Sequence, residues 1–302
     1  MKYSKNLIGT LLVLFGSVCW GIGGVAGESL LKTDYITTTD IIPLRLVFSG
    51  VFLLLYCIFK DKKSTFAVWN LKRDAFDVII YAFFGLGICQ FTYYLTIEYS
   101  NAGTATILQY MAPVIILAIT CIKGKRLPDF AEIICIILAV GGVFLISTHG
   151  SITSLVISPK ALTIGIISAL TVVVYNMQPA RLLKRHSAVV LLAWAMTIAG
   201  VATCIVFKVW EDFPPVTFVN ILLFMIIVFM GTIFSFASYM KGVALIGPAK
   251  ACLYSGLEPV VAVILSSLLL GTEFVFMDIL GFVCIVVAIF ILSVSKNTEN
   301  AD

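Results

Sequence analysis

Ten apolar runs, each close to the length of a membrane span, occupy nearly all of this chain: near 7–30, 41–59, 75–97, 102–121, 130–148, 160–180, 188–208, 218–240, 250–269 and 274–293. About 20 apolar residues in helical form cross the ~30 Å hydrocarbon core of a bilayer, and there every backbone N–H and C=O needs a partner within the protein. The runs therefore predict an all-α integral membrane protein with ten transmembrane helices. Membrane-barrel strands would show about ten alternating residues each, and no such alternation is sustained here. Of the 302 residues, 61% are hydrophobic and 12% charged, against about 25% charged in an ordinary soluble domain, and the mean hydropathy is +1.09.

Little remains outside the runs. The longest polar connector, Lys60 to Asp74, has fifteen residues, too few for a soluble domain with chemistry of its own. Lys2 and Lys5 precede an apolar run ending in Val25-Ala26-Gly27, which has the outline of a signal peptide. That run exceeds a signal core and nine further runs follow, so it is expected to stay as the first span. Cys19, Cys57, Cys89, Cys121, Cys135, Cys204, Cys252 and Cys284 all sit within or at the end of apolar runs without CxxC spacing and read as small buried hydrophobes. With only His149 and His186 besides, no metal and no cofactor is expected. Basic residues are distributed by loop rather than gathered in a patch, which argues against nucleic acid as a partner. Sixteen of them fall on one side if both termini are cytoplasmic, among them Lys2, Lys250 and Lys296, and only Lys32, Lys160 and Lys208 on the other. The positive-inside rule thus predicts cytoplasmic termini.

Two stretches, "MAPVI" at 111–115 and "LEPVV" at 257–261, place a proline in mid-run and suggest duplication. Aligning Tyr94 with Tyr239 and Pro113 with Pro259 costs one inserted residue. It then brings "GKRLPDF" (124–130) against "GTEFVFM" (271–277), and "VFLIS" (143–147) against "IFILS" (289–293). Residues 1–150 and 160–296 form the two halves. Each holds five spans, an odd number, so the second half enters the membrane from the opposite side. Inverted repeats of this kind commonly hold a substrate site near the midplane at their junction.

On "SVCWGIGG" (17–24), "PLRLVFSG" (43–50), "YSNAGTATILQYMAPVI" (99–115) and "IGPAKACLYSGLEPVVAVILSSLLLGTEF" (246–274), the chain resembles the EamA branch of the drug/metabolite transporter superfamily. The resemblance spans nearly the whole chain. It implies ten helices in two inverted five-helix repeats around a central cavity, and transport of small metabolites. Similar sequences often carry an acidic residue after the glycine of both loops. Here Arg126 in the first half faces Glu273 in the second, so a symmetric role for those positions is not expected.

An ionisable side chain in hydrocarbon survives by facing a cavity or a partner. Glu258 lies eight residues into its run, about 12 Å deep at ~1.5 Å per residue. It is the candidate proton-coupling or cation-binding carboxylate, with a buried residue that fixes helix packing as the alternative. Pro259 takes the helical partner from the Ser255 carbonyl, and Pro113 takes it from Gln109, so both prolines are expected to mark helix bends. Gln109 and Tyr110 flank the first bend and Tyr254 lies one turn before Glu258. Gln90, Tyr93 and Tyr94 share one helix face, as do Ser235, Ser238 and Tyr239 at the matching place, and Tyr175 pairs with Gln178. Interhelical hydrogen bonding is the structural alternative for all of these. Arg45 could clasp a substrate carboxylate, although its shallow depth favours snorkelling to the interface. Trp194, its approximate repeat partner, and Trp20 could wall the cavity or pack. Gly23 and Gly27 share a face with Trp20 in a GxxxG spacing that permits close helix approach. Glu28 is expected at a solvated helix end in the outer mouth.

No GxxxxGK[ST] loop is present, so transport would draw on a gradient. The expected protein is a multi-pass secondary transporter of the cell (cytoplasmic) membrane. By alternating access it would move a small molecule, an amino acid or related compound, with export favoured on the resemblance and proton coupling through Glu258. Its partners are then the substrate, the lipid bilayer and protons, while the sequence does not distinguish monomer from dimer. The other readings are a non-transporting sensor or scaffold, disfavoured by the lack of extramembrane domains, and an intramembrane enzyme. The latter lacks HExxH or paired in-helix aspartates, so no enzyme is expected.

Overall fold

A computed structural model describes residues 2–33, 35–151, 155–211, 216–247, 251 and 254–299. Lys250 and Cys252 lie outside the described residues, as do the side chains of Lys2 and Lys296. Among the described residues all regular structure is helical. Eight helices are long and apolar enough to cross a membrane, and two shorter apolar ones follow.

The elements are α1 (Lys2–Leu31), α2 (Thr38–Phe66), α3 (Lys72–Ile80), α4 (Ile88–Tyr99), α5 (Ala102–Gln109), α6 (Ala112–Lys123), α7 (Phe130–Thr148), α8 (Pro159–Met177), α9 (Ala188–Phe207), α10 (Phe218–Val228), α11 (Ser235–Ile246), α12 (Leu257–Leu270) and α13 (Phe276–Glu299). Local chemistry sets several starts. The Asn101 side chain accepts from the Thr104 N–H to cap α5, Ser158 caps α8 just before Pro159, and Asp129 with Glu132 forms a capping box on α7.

Two devices interrupt the regular helices, each occurring twice. A π-helical stretch, Tyr81–Gly87, joins α3 to α4 within one continuous span, and another, Phe229–Phe234, joins α10 to α11. Each inserts a wider turn that re-aims the side chains after it, and such turns concentrate at functional sites. The second device is a break: α5 stops at Gln109 and α6 begins at Ala112, while α12 begins at Leu257 after Gly256. Pro113 and Pro259 stand in the first turns of the new helices, where a missing N–H is least costly. The prolines thus open fresh half-helices rather than merely bend continuous ones.

Hydrogen bonds sort the loops into two ends. At the near end, where α1 begins, buried Asp74 accepts from Arg181 Nη2 at 2.8 Å and lies 2.9 Å from His186 Nε2, and the Gln178 amide donates to the Asp77 carbonyl at 2.9 Å. At the far end the Thr38 N–H donates to Glu98 at 2.8 Å, and His149 meets Asp278 at 2.9 Å. Large apolar side chains such as Phe59, Phe76, Ile205 and Leu268 point outward, as a lipid-facing surface requires. Inside, small residues let backbones meet. A Cβ on Gly23 would run into the Gly231 Cα, so α1 touches the second π-helical stretch main chain to main chain. Of the described cysteines, Cys19, Cys57, Cys89, Cys121 and Cys135 are buried thiols, and Cys204 and Cys284 are half-buried.

Candidate functional site

A cavity of about 220 Å³ lies where the two interrupted pairs of spans meet α1, α2 and α8. Trp20 comes from α1, Arg45 from α2, Gln90, Tyr93 and Tyr94 from α4, and Gln109 from the end of α5. Tyr175 lies on α8 and Tyr239 on α11, and Ser255 and Glu258 lie on either side of the second break.

Arg45 does not snorkel. It is 4% exposed, and its Nε donates to Thr232 Oγ1 at 2.9 Å, Nη2 to the Gly231 carbonyl at 3.2 Å and Nη1 to Gln90 Oε1 at 3.3 Å. The guanidinium carbon sits 4.9 Å from the centre of the Tyr94 ring. Two of these acceptors, Gly231 and Thr232, belong to the second π-helical stretch. Thr232 can receive Arg45 because its own hydroxyl donates back to the Ile227 carbonyl at 3.1 Å.

At the second break, the Ser255 carbonyl left over by Pro259 accepts from Tyr110 Oη at 2.6 Å, and the same hydroxyl lies 3.3 Å from Glu258 Oε2. Tyr110 therefore reaches from the first break to the second. A phenol has one proton, and the short bond to Ser255 claims it. The Tyr110 hydroxyl thus stands between the Ser255 carbonyl and the Glu258 carboxyl, with the shorter contact to the carbonyl.

The remaining walls are aromatic or amide. Trp20 packs edge-on against Phe236 with centroids 5.1 Å apart and tilts over Tyr239 at 5.1 Å, while Tyr175 stacks on Tyr81 at 5.6 Å. Tyr93 Oη pairs with Thr106 at 2.8 Å, and the Gln109 amide donates to Ser168 at 2.9 Å. These bonds fix side-chain positions around the cavity.

Four expected site residues lie elsewhere. Gln178 leaves the face of Tyr175 because α8 ends at Met177, and its amide serves the near end. Trp194 donates to the Thr65 carbonyl at 2.9 Å and packs edge-on against Trp69. It enters α9 from the near end whereas Arg45 enters α2 from the far end, so the two sit at different depths. Ser235 is fully buried and donates to the Thr232 carbonyl at 3.0 Å. Tyr254 is half-buried but outside the cavity wall. Glu28 is the larger correction, because it is 2% exposed rather than solvated. Its carboxylate accepts from the Ala102 N–H at 2.9 Å, Ser266 Oγ at 2.5 Å and Thr272 Oγ1 at 3.1 Å, and pairs with Lys32 at 3.1 Å.

A family model for the EamA-like transporter family matches residues 7–148 and 159–294. The chain belongs to that family. It is 33% identical over 288 residues to the uncharacterized inner membrane transporter YicL of Salmonella typhimurium, covering 95% of this chain and 96% of that one. It is also 24% identical over 266 residues to the uncharacterized transporter YetK of Bacillus subtilis, covering 85% and 79% respectively. A crystal structure of another protein shares the fold at a TM-score of 0.65 and 13% identity, over 96% of this chain and 98% of that one. This EamA-like protein is accordingly a multi-pass transporter of the cell membrane. Arg126 clasps Glu132 through two 2.7 Å bonds.

The EamA-like chain also uses residues that the sequence pattern did not single out. Asn176, Phe236 and Met240 join the wall, and Gly231 with Thr232 seats Arg45. Asn176, a polar residue beside Tyr175, carried a usable signal. The Gly231–Thr232 seat carried none, because a π-helical turn leaves no signature in side-chain periodicity.

Proposed function

We propose that this EamA-like protein is a secondary transporter that exports a small metabolite, an amino acid or related compound, in exchange for protons. In this reading the ten apolar runs are ten spans in two inverted five-helix repeats, residues 1–150 and 160–296, with both termini and the near end cytoplasmic. The paired π-helical stretches and paired breaks support the duplication, and half-helices flanking a midplane cavity are the usual setting of an alternating-access site. Tyr175, Tyr239 and Met240 carry the cavity wall toward the near end, while the Glu28 cluster ties α1, α5 and α12 together at the far end. In this reading the structure is taken as the inward-open state.

The contact between Glu258 and Tyr110 carries the coupling. When Glu258 is protonated, its O–H donates to Tyr110 Oη, which in turn donates to the Ser255 carbonyl, and every proton has an acceptor. When it is ionised, the Tyr110 hydroxyl is already committed and the carboxylate faces the cavity in need of a cation. A proton and a cationic group of the substrate then occupy Glu258 in turn, which is exchange. An inward proton gradient drives the substrate out. Protein reconstituted in liposomes and given a metabolite panel with an imposed pH gradient should accumulate a solute. Should Glu258→Gln accumulate it to the same level, the coupling assignment is wrong and the transporter reading stands.

A further inference from the structure

Trp20, Gly23 and Gly24 of α1 line the cavity, and Glu28 lies one turn beyond Gly24 on the same helix face, about 6 Å nearer the far end. Lys32 follows at the next turn. The Lys32 side chain is 47% exposed and that of Glu28 2%, with 3.1 Å between their charged atoms. This ion pair therefore stands between the cavity and the water of the far end.

Its partners belong to two other helices, one from each half, at ends of opposite polarity. Ala102 is the first residue of α5, and its N–H is one that a helix start leaves without an intrahelical partner; it donates to Glu28 Oε2 at 2.9 Å. Leu270 is the last residue of α12, and its carbonyl, left over at the helix end in the same way, accepts from Lys32 Nζ at 3.4 Å. The Thr272 hydroxyl serves both charges, donating to Glu28 Oε1 at 3.1 Å and lying 3.5 Å from Lys32 Nζ. Anion thus meets the positive end of one helix and cation the negative end of another. A Cβ on Gly103 would lie 2.9 Å from Val263 of α12, so the two ends are packed together and form one socket for the pair.

Alternating access requires this end to open. An apolar seal would expose hydrocarbon to water each time, whereas a polar seal exchanges its hydrogen bonds for bonds to water at small net cost. The expensive step would be to strand a charge without its partner. That step is avoided here, because Lys32 is carried with Glu28 at i, i+4 spacing. We propose that Glu28 and Lys32 are the latch of the outer gate. The pair holds the far end shut by plugging into α5 and α12, and it withdraws with α1 as a unit when the cavity opens outward. The proposal rests on the alternating-access reading above and adds to it the residues that close one side of the cycle. Because Gly23 meets Gly231 main chain to main chain, withdrawal of α1 also bears on the stretch that seats Arg45.

The test reads which face of the membrane reaches the cavity. Met240 of the cavity wall becomes the reporter as Met240→Cys in the full chain. Vesicles are labelled from either face with a membrane-impermeant maleimide, and mass spectrometry locates the labelled thiols. On that background Glu28→Gln keeps an acceptor for the Ala102 N–H but gives up the charge. It should raise far-face labelling of the reporter by about tenfold or more and lower near-face labelling, as expected from losing a charge-assisted bond of the closed state. Lys32→Gln should act in the same direction but less, its bonds being longer. Bridging Lys32→Cys to Thr272→Cys with a short bifunctional thiol reagent should do the reverse. Solute movement in liposomes should stop while near-face labelling persists, and reducing the bridge should restore movement. An unchanged face preference in Glu28→Gln, or a bridged protein that still transports, overturns the proposal and leaves the transporter reading intact. So does labelling that rises from both faces and reaches the buried Cys19 and Cys57, the mark of a loosened fold. If Glu28→Gln does not yield folded protein, Lys32→Gln and the bridge decide. A protein that moves no solute, and whose reporter answers from one face alone in every variant, sinks both readings.

Discussion

Glu28 and Glu258 are both carboxylates set in apolar helices, and the molecule treats them oppositely. Glu28 accepts from a backbone N–H and two hydroxyls on other segments and pairs with Lys32. Glu258 meets one tyrosine oxygen at 3.3 Å and otherwise faces the cavity. A carboxylate surrounded by donors from other segments holds helices together. One with a single long contact is open to exchange its partner. The difference lies in the donors rather than in depth or residue type, and in the proposed reading the first serves structure at one end of the bundle and the second chemistry at its centre.

Substitution can break this contrast, and the largest effect is expected at Glu258. Glu258→Gln should abolish proton-driven accumulation in liposomes while leaving the thermal midpoint in detergent essentially unshifted. If it lowers the midpoint instead, Glu258 belongs with Glu28. Glu28→Ala should cost about 3 kcal/mol of stability, because it strands the Ala102 N–H and two hydroxyls without an acceptor. Thermal unfolding in detergent measures it, and an unaltered midpoint would mean that the cluster holds nothing. Tyr110→Phe removes the hydroxyl shared by Ser255 and Glu258 and should lower exchange by about tenfold, the equivalent of one charge-assisted hydrogen bond. Its initial rates of uptake across pH should also lose their wild-type profile, which loss of packing alone would not cause. The smallest effect is expected at Pro113, where Ala112 stands in the place that Glu258 takes before Pro259. Pro113→Ala should cost roughly 0.5 kcal/mol through the freer unfolded chain, with transport unchanged.

How much of this was legible in the sequence depends on the signal each feature leaves. Spans announce themselves by length, and the breaks by Pro113 and Pro259, whose missing N–H is visible in any sequence. The second break even kept the consequence expected of it, a freed Ser255 carbonyl that found a partner. The π-helical stretches stayed invisible because their side chains, such as "YAFFGLG" and "FMGTIF", do not differ in kind from those of an α-helix. Arg45 was misjudged for the same reason: counting residues from the helix start gave a shallow depth, while its acceptors lie on a turn that counting could not find. Glu28 was misjudged because its partners Ser266 and Thr272 come from the other half of the chain, beyond the reach of local pattern.

The meeting of Gly23 with Gly231 has a consequence for how such a chain can vary. A methyl group on either would strike the other's main chain, and no rotamer change can relieve a clash between backbones. Positions far apart in the sequence therefore behave as a single locus, at which neither residue has freedom that the other does not grant.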